Sequence, residues 1–200
     1  MGRGPLASLF AEVAPLLVVA LCTAVLFRDD LFLGSIFFER DTELFYLPLL
    51  RWYLGQLQTG HLPLWIPLIF GGYPLFADGE LGMLYPPNVL LGFVLGADTF
   101  LQVSRALHLF LAGAFTFAFL RVLHVGRPSA LVGGMGFAFG SFFVAQIQHE
   151  NVVRSAVWLP LVLLCVELSL CSSGWRRQQW LVAGGLAMAM SALGVHIQPV

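Results

Sequence analysis

Carboxylates lead the side chains that could do chemistry in this sequence. Asp41 stands at the end of an apolar lead-in, just before a stretch of helical character. A carboxylate at a membrane–water boundary beside a helix N-terminus stays ionised, so it can take a proton, bind a cation or cap the helix. Asp78 and Glu80 flank Gly79 in a turn, where two carboxylates can bind a divalent cation, hold sugar hydroxyls or sit solvated. Trp65, Tyr73 and Tyr85 offer rings that either stack on a sugar or form an interfacial aromatic belt. His149, Glu150, Asn151 and Arg154 cluster in and after a short polar turn. An arginine near a bilayer surface holds phosphoryl oxygens or lipid headgroups, and Arg154 is the candidate here. His196, after an apolar run, reads as a substrate contact or a packing histidine. Arg105 and Glu167 lie within apolar runs, where charges face the bundle or snorkel to an end.

Several chemistries lack their motif. There is no phosphate-cradling glycine loop, no dinucleotide fingerprint, no nucleophile elbow and no zinc spacing. Cys22, Cys165 and Cys171 lie in or at the ends of apolar runs with no metal or redox spacing, and read as structural thiols.

The elements that must position these residues are membrane helices. Hydrophobic residues make up 58% of the chain and charged residues 10%, and mean hydropathy is +0.85. Soluble domains carry about 25% charge, and so few charges cannot cover a soluble surface. The expected fold is therefore all-α, a polytopic transmembrane bundle of about five spans. The spans are placed at 12–27, 99–120, 129–147, 152–171 and 179–193. The first has no small-residue cleavage site after it and reads as an uncleaved span. The third holds Gly133, Gly134, Gly136 and Gly140, small residues that let helices approach closely.

Between the first two spans lies a long loop, 39–88, shaped by Pro and Gly. Residues 45–58 can form a helix too short to cross a bilayer, with Pro48 in its first turn, expected along the membrane surface. Residues 83–97 have the same character and read as a second interfacial or re-entrant helix. All ten basic residues are Arg. Arg3, Arg121 with Arg127, and Arg176 with Arg177 fall on one face of successive spans, which the positive-inside rule makes cytoplasmic. The N-terminus is then cytoplasmic, and the long loop, the His149 turn and His196 face outward. A net charge of −1 gives no basis for nucleic-acid binding. The chain stops in what reads as the middle of a bundle, so it is expected to be a single transmembrane domain, 1–200, forming the N-terminal part of a longer protein.

The order of features resembles the bacterial YfhO-type membrane proteins of the GT-C superfamily of polytopic glycosyltransferases. The matching residues are Asp41, Tyr46-x-Pro48, the run from Gly60 through Pro63, Trp65 and Pro67, Gly71-Gly72-Tyr73-Pro74, and Tyr85-Pro86-Pro87-Asn88. Further on come His149-Glu150-Asn151, Trp158-Leu159-Pro160 and Gly194-Val195-His196-Ile197-Gln198. The resemblance implies a first extracytoplasmic loop with an essential acid, at Asp41, and a second acid in a later outer loop, for which Glu150 is nearest. It also implies a polyprenyl-phosphate sugar as donor and a cell-envelope glycan or protein as acceptor, in the bacterial inner membrane. The paired-acid signature common in the superfamily is not clean here, and a divalent cation is left open. The alternative is a non-catalytic membrane protein of similar shape, a lipid-linked glycan transporter or an assembly scaffold.

Overall fold

The computed structural model describes residues 5–33 and 42–194, with side chains for 12–32 and 42–194. Among these residues the chain is all-helical, with no β-strand and one isolated bridge between Ile66 and Tyr73. In order come α1 (Pro5–Leu26), α2 (Arg28–Leu33), a π-helical turn (Thr42–Tyr46), α3 (Leu47–Gln58), α4 (Leu75–Asp78) and α5 (Pro86–Gly92). Then follow α6 (Ala97–Val122), α7 (Arg127–Ala138), α8 (Ser141–Ala145), α9 (Glu150–Ala156), α10 (Leu159–Leu170) and α11 (Gly174–Gly194).

Three stretches are long and apolar enough to cross a membrane: Ala97–Val122, Arg127–Ala145 and Glu150–Leu170. The 26 residues of α6 extend about 39 Å, more than a ~30 Å hydrocarbon core requires. Asp98 in its first turn and Arg121 in its last suit the helix dipole. His124 at φ 61 and the restart through Gly126 and Pro128 turn the chain back into α7. Two of the expected spans are interrupted. The 129–147 run breaks at Phe139–Gly140, where Gly140 is extended, and the 152–171 run breaks at Val157–Trp158, just before Pro160.

The centre of the bundle is α6, against which α1, α7 and α10 pack, while α11 lies on α10 and α9. Gly134 explains the closeness of α7 to α6, since a Cβ there would come within 2.7 Å of the Gly113 carbonyl oxygen. Gly133 likewise faces Leu120, but Gly136 is exposed with nothing near it, so the close-packed stripe is narrower than the glycine count suggests. At one end of the bundle Glu12 pairs with Arg121 at 3.0 Å and Arg127 at 2.7 Å, tying α1 to α6 and α7.

The long loop folds over the other end. Its core is α3, whose Leu47, Leu49, Leu50, Tyr53, Leu54 and Leu57 are buried and cluster with Phe100 and Leu101 of α6. The helix expected along the membrane surface buries these side chains inside the loop. Of the 83–97 stretch, Pro86–Gly92 is helical and Ala97 begins α6. The cysteines also divide: Cys165 is buried, Cys22 partly so and Cys171 exposed.

Candidate functional site

Where the loop meets α6 and α9, charged groups are buried together. Arg105, Glu150 and Arg154 are each no more than 3% exposed. Arg105 Nε donates to Glu150 Oε1 at 2.5 Å, and its Nη2 donates to Thr42 Oγ1 at 3.2 Å. Burying such charges is costly unless they are paired and hydrogen-bonded, and Arg105 and Glu150 pair across 45 residues of sequence.

Arg154 serves the loop. Its Nε donates to the Glu150 carbonyl at 3.1 Å, one turn back on α9. Its Nη1 donates to the Leu81 carbonyl at 3.0 Å, and its Nη2 to the Glu80 carbonyl at 2.7 Å and to the Tyr46 hydroxyl. The guanidinium also lies over the Tyr46 ring, 5.8 Å from its centroid. Tyr46 in turn donates to the Glu80 carbonyl at 2.8 Å. Burial holds the Tyr46 phenol well above the usual tyrosine range; Arg154 pulls against this shift, and Glu150 and Glu80 add to it. Arg154 therefore stands behind the site as the fork that pins loop to bundle, not as a free phosphate ligand.

A second network seats the end of the loop. Trp158 Nε1 only donates, so the Tyr85 hydroxyl accepts its bond at 2.9 Å. Tyr85 then donates to His108 Nε2 at 2.8 Å, and His108 Nδ1–H donates to the Ser104 carbonyl at 2.6 Å. This chain fixes His108, fully buried in α6, as the neutral Nδ1–H tautomer. Asn88 closes the arrangement by donating to the Leu81 carbonyl at 2.8 Å.

In front of Arg154 opens a cleft of about 460 Å³ between Phe45–Tyr46 on one side and Gln148, His149, Asn151 and Val152 on the other, with Glu80 between. It joins a carboxylate, an imidazole, two amides and a phenol to an apolar wall. A larger groove of about 670 Å³ on the flank of α11 is lined by Trp175, Leu181, Val182 and Leu186 and carries no titratable group. The cleft, not the groove, has the chemistry.

The candidates from the sequence separate accordingly. His149 and Glu80 line the cleft; Glu150 and Arg154 lie buried behind it. Trp65, Tyr73 and Asp78 form a hairpin of their own outside the cleft. Trp65 lies against Gly72, whose φ of 121° and lack of a Cβ let the indole approach; a Cβ would sit 2.3 Å from the ring. Tyr73 donates to Asp78 Oδ1 at 2.5 Å. Asp41 and His196 fall outside the described residues. Among the described residues no three His, Cys, Asp or Glu side chains converge, so they do not by themselves fit a divalent cation. Thr42, which accepts from Arg105, Tyr53, which donates to the Met83 carbonyl at 2.9 Å, and His108 are further residues here; of these three only His108, a histidine inside an apolar helix, carries a signal in the sequence. Compared with protein-family models, with curated proteins and with solved structures, the chain matches none.

Proposed function

We propose that the protein works on a lipid-linked sugar at the outer face of the bacterial inner membrane, as a glycosyltransferase of the GT-C type. The observation that carries this reading is the cleft itself. It is polar on Glu80, His149 and Asn151, apolar on Phe45 and Val152, and formed where an ordered loop closes over the end of a membrane bundle. Such a site suits a substrate with a hydrophilic head and a lipid tail. In the proposed reaction an acceptor hydroxyl attacks the anomeric carbon, the bond to the lipid phosphate breaks, and Asp41 takes the hydroxyl proton. Glu80, His149 and Asn151 hold sugar hydroxyls, and Arg154 with Tyr46 fixes the loop that carries Glu80. The proposed topology has five spans with the N-terminus cytoplasmic, so that Arg121 and Arg127 lie inside.

Asp41→Asn tests the assignment. It keeps size and removes charge, so the variant should insert normally and lose at least about a hundredfold in sugar transfer, equivalent to about 2.7 kcal/mol. Cells lacking the gene should accumulate polyprenyl-phosphate sugar in lipid extracts. Wild-type transfer by Asp41→Asn together with unchanged lipid extracts would refute the reading.

A transporter is the second reading, because the buried Arg105–Glu150 pair and the breaks in two spans are features that moving substrate pathways use. Reconstituted protein separates the two: a transporter moves a labelled lipid-linked glycan between leaflets without altering it, and a transferase changes it covalently.

A further inference from the structure

The hairpin of the long loop and the segment between the loop and α6 each carry large apolar side chains outward. Leu68, Phe70, Leu90, Phe93 and Val94 are 72, 84, 70, 56 and 80% exposed. The two acids of this stretch turn the other way: Asp78 is half-buried against Tyr73, and Glu80 lines the cleft. From 52 to 97 the chain holds no Arg, and these two are its only acids. A water-facing loop shows the reverse distribution, and a large exposed apolar patch marks a contact surface.

Tethers fix the level of this patch. Arg51 Nη2 donates to Asp98 Oδ1 at 3.0 Å, and Gln58 Nε2 donates to the carbonyls of Gly92 at 3.0 Å and Leu95 at 3.1 Å. Arg51, in the first half of α3, is thus held at the first turn of α6, and the C-terminal end of α3 at the segment just before it, where a helix long and apolar enough to cross a membrane begins. Val94 lies three residues before that helix, and the hairpin begins at Leu62, four residues after Gln58. The hairpin tip is a fixed turn. Phe70 sits at φ 51, the Ile66–Tyr73 bridge closes behind it, and its ring tilts on Tyr73 at a centroid distance of 6.0 Å.

We propose that Leu68 and Phe70 at the hairpin tip, with Leu90, Phe93 and Val94, form one lipid-contact surface. It seats the loop in the boundary between headgroups and acyl chains of the leaflet it faces. The occupant is the uncharged part of a phospholipid. With no Arg in the patch, attraction to anionic headgroups plays no part, and contact rests on apolar burial. This surface is independent of any transferase activity.

The test places an environment-sensitive fluorophore on Phe70→Cys or Val94→Cys, in the full chain with Cys22, Cys165 and Cys171 changed to alanine, reconstituted in nanodiscs. Ser173→Cys, in the exposed turn between α10 and α11, is the water-facing control. Expected is loss of emission with nitroxide-bearing phospholipids, little loss with aqueous iodide, and the same result in neutral and part-anionic bilayers. Iodide quenching equal to that of the Ser173 site would overturn the proposal. So would shielding from both quenchers, which would mean a protein or a second copy covers the patch. Photoactivatable phospholipid on the unsubstituted protein gives a reading free of mutations: besides the bundle helices, adducts should appear in 62–76 and 86–96, and their absence there also overturns it.

Discussion

Glu150→Gln removes one charge and almost no volume from a site where charge decides the outcome. The carboxylate meets Arg105 at 2.5 Å with both side chains no more than 4% exposed. In the variant Arg105 keeps its bond to Thr42 and loses its counterion. Arginine does not shed its proton, so the cation stays buried and unpaired, at a cost of about 3–5 kcal/mol. For a chain of this size, each kcal/mol moves a thermal midpoint by about 2–4 °C, which predicts a fall of about 6–20 °C. Intrinsic fluorescence of the protein in nanodiscs during heating reads this directly. Removing both charges, as in Arg105→Met with Glu150→Gln, should recover most of the loss, because the desolvation cost of the cation disappears with its partner. A carboxylate that served only to hold substrate in the cleft would be silent on stability. A midpoint shift equivalent to less than about 1 kcal/mol would refute the buried-pair account, as would a double variant no more stable than Glu150→Gln alone.

Arg154→Met should cost less, about 2–4 kcal/mol for three bonds to the loop, because the Leu81 and Glu80 carbonyls keep Asn88 and Tyr46 as donors; limited proteolysis should show cleavage confined to 60–96, and a loop as resistant as in the parent would contradict the pinning role. Gly134→Ala should destabilise by about 1–3 kcal/mol by driving a methyl at the Gly113 carbonyl, whereas Gly136→Ala, facing open space, should be neutral or gain up to about 1 kcal/mol of helix propensity; equal melting of the two variants would rule out the close approach. Burial pushes the Tyr53 and Tyr85 phenols up to about 12, with Arg154 opposing at both and the Trp158 bond opposing at Tyr85. The folded state therefore holds these protons longer than the unfolded chain, and stability should be level below about pH 10 and fall between pH 10 and 12; phenolate absorbance that rises before unfolding would count against it.

How far the sequence reveals this arrangement depends on the range of the interaction concerned. The long central helix was legible because an apolar run at 99–120, closed by Arg121, has no competing reading, and α6 covers it with two extra residues at each end. The interior of the long loop was not. Residues 45–58 read as a helix along the membrane surface, and the pattern does not reveal that its leucines and Tyr53 pack with Phe100 and Leu101, because hydrophobic pattern alone cannot distinguish lipid from protein as the apolar partner. Glu150 and Arg154 read as outward groups for substrate or lipid headgroups because they follow the polar turn at Gln148–His149. Their partners in space, Arg105 and Tyr46, lie 45 and 108 residues away.

A physical signal for that pairing was nonetheless present. Arg105 lies within an apolar run, where a charge either faces the bundle and finds a partner or snorkels to an end, so an acid brought to it is one of the two readings the sequence allows. Arg121, the far end of the same helix, lies 16 residues on, about 24 Å by helical rise, and meets Glu12. Each end of α6 thus fastens one polar element of the chain by an arginine–glutamate contact, partly exposed at the Glu12 end and buried at the Glu150 end. Exposed pairs contribute little and broken buried pairs cost much, so the end that carries the cleft is the one whose geometry the charges enforce. The loop over that end has its position fixed by Arg154, its registry by Tyr85 and Asn88, and its open side set against Gln148–Val152. Opening the loop over such a cleft breaks the bonds of a buried charge, so any ligand that needs the loop to open must offer Arg154 acceptors in place of the Glu80 and Leu81 carbonyls it would lose.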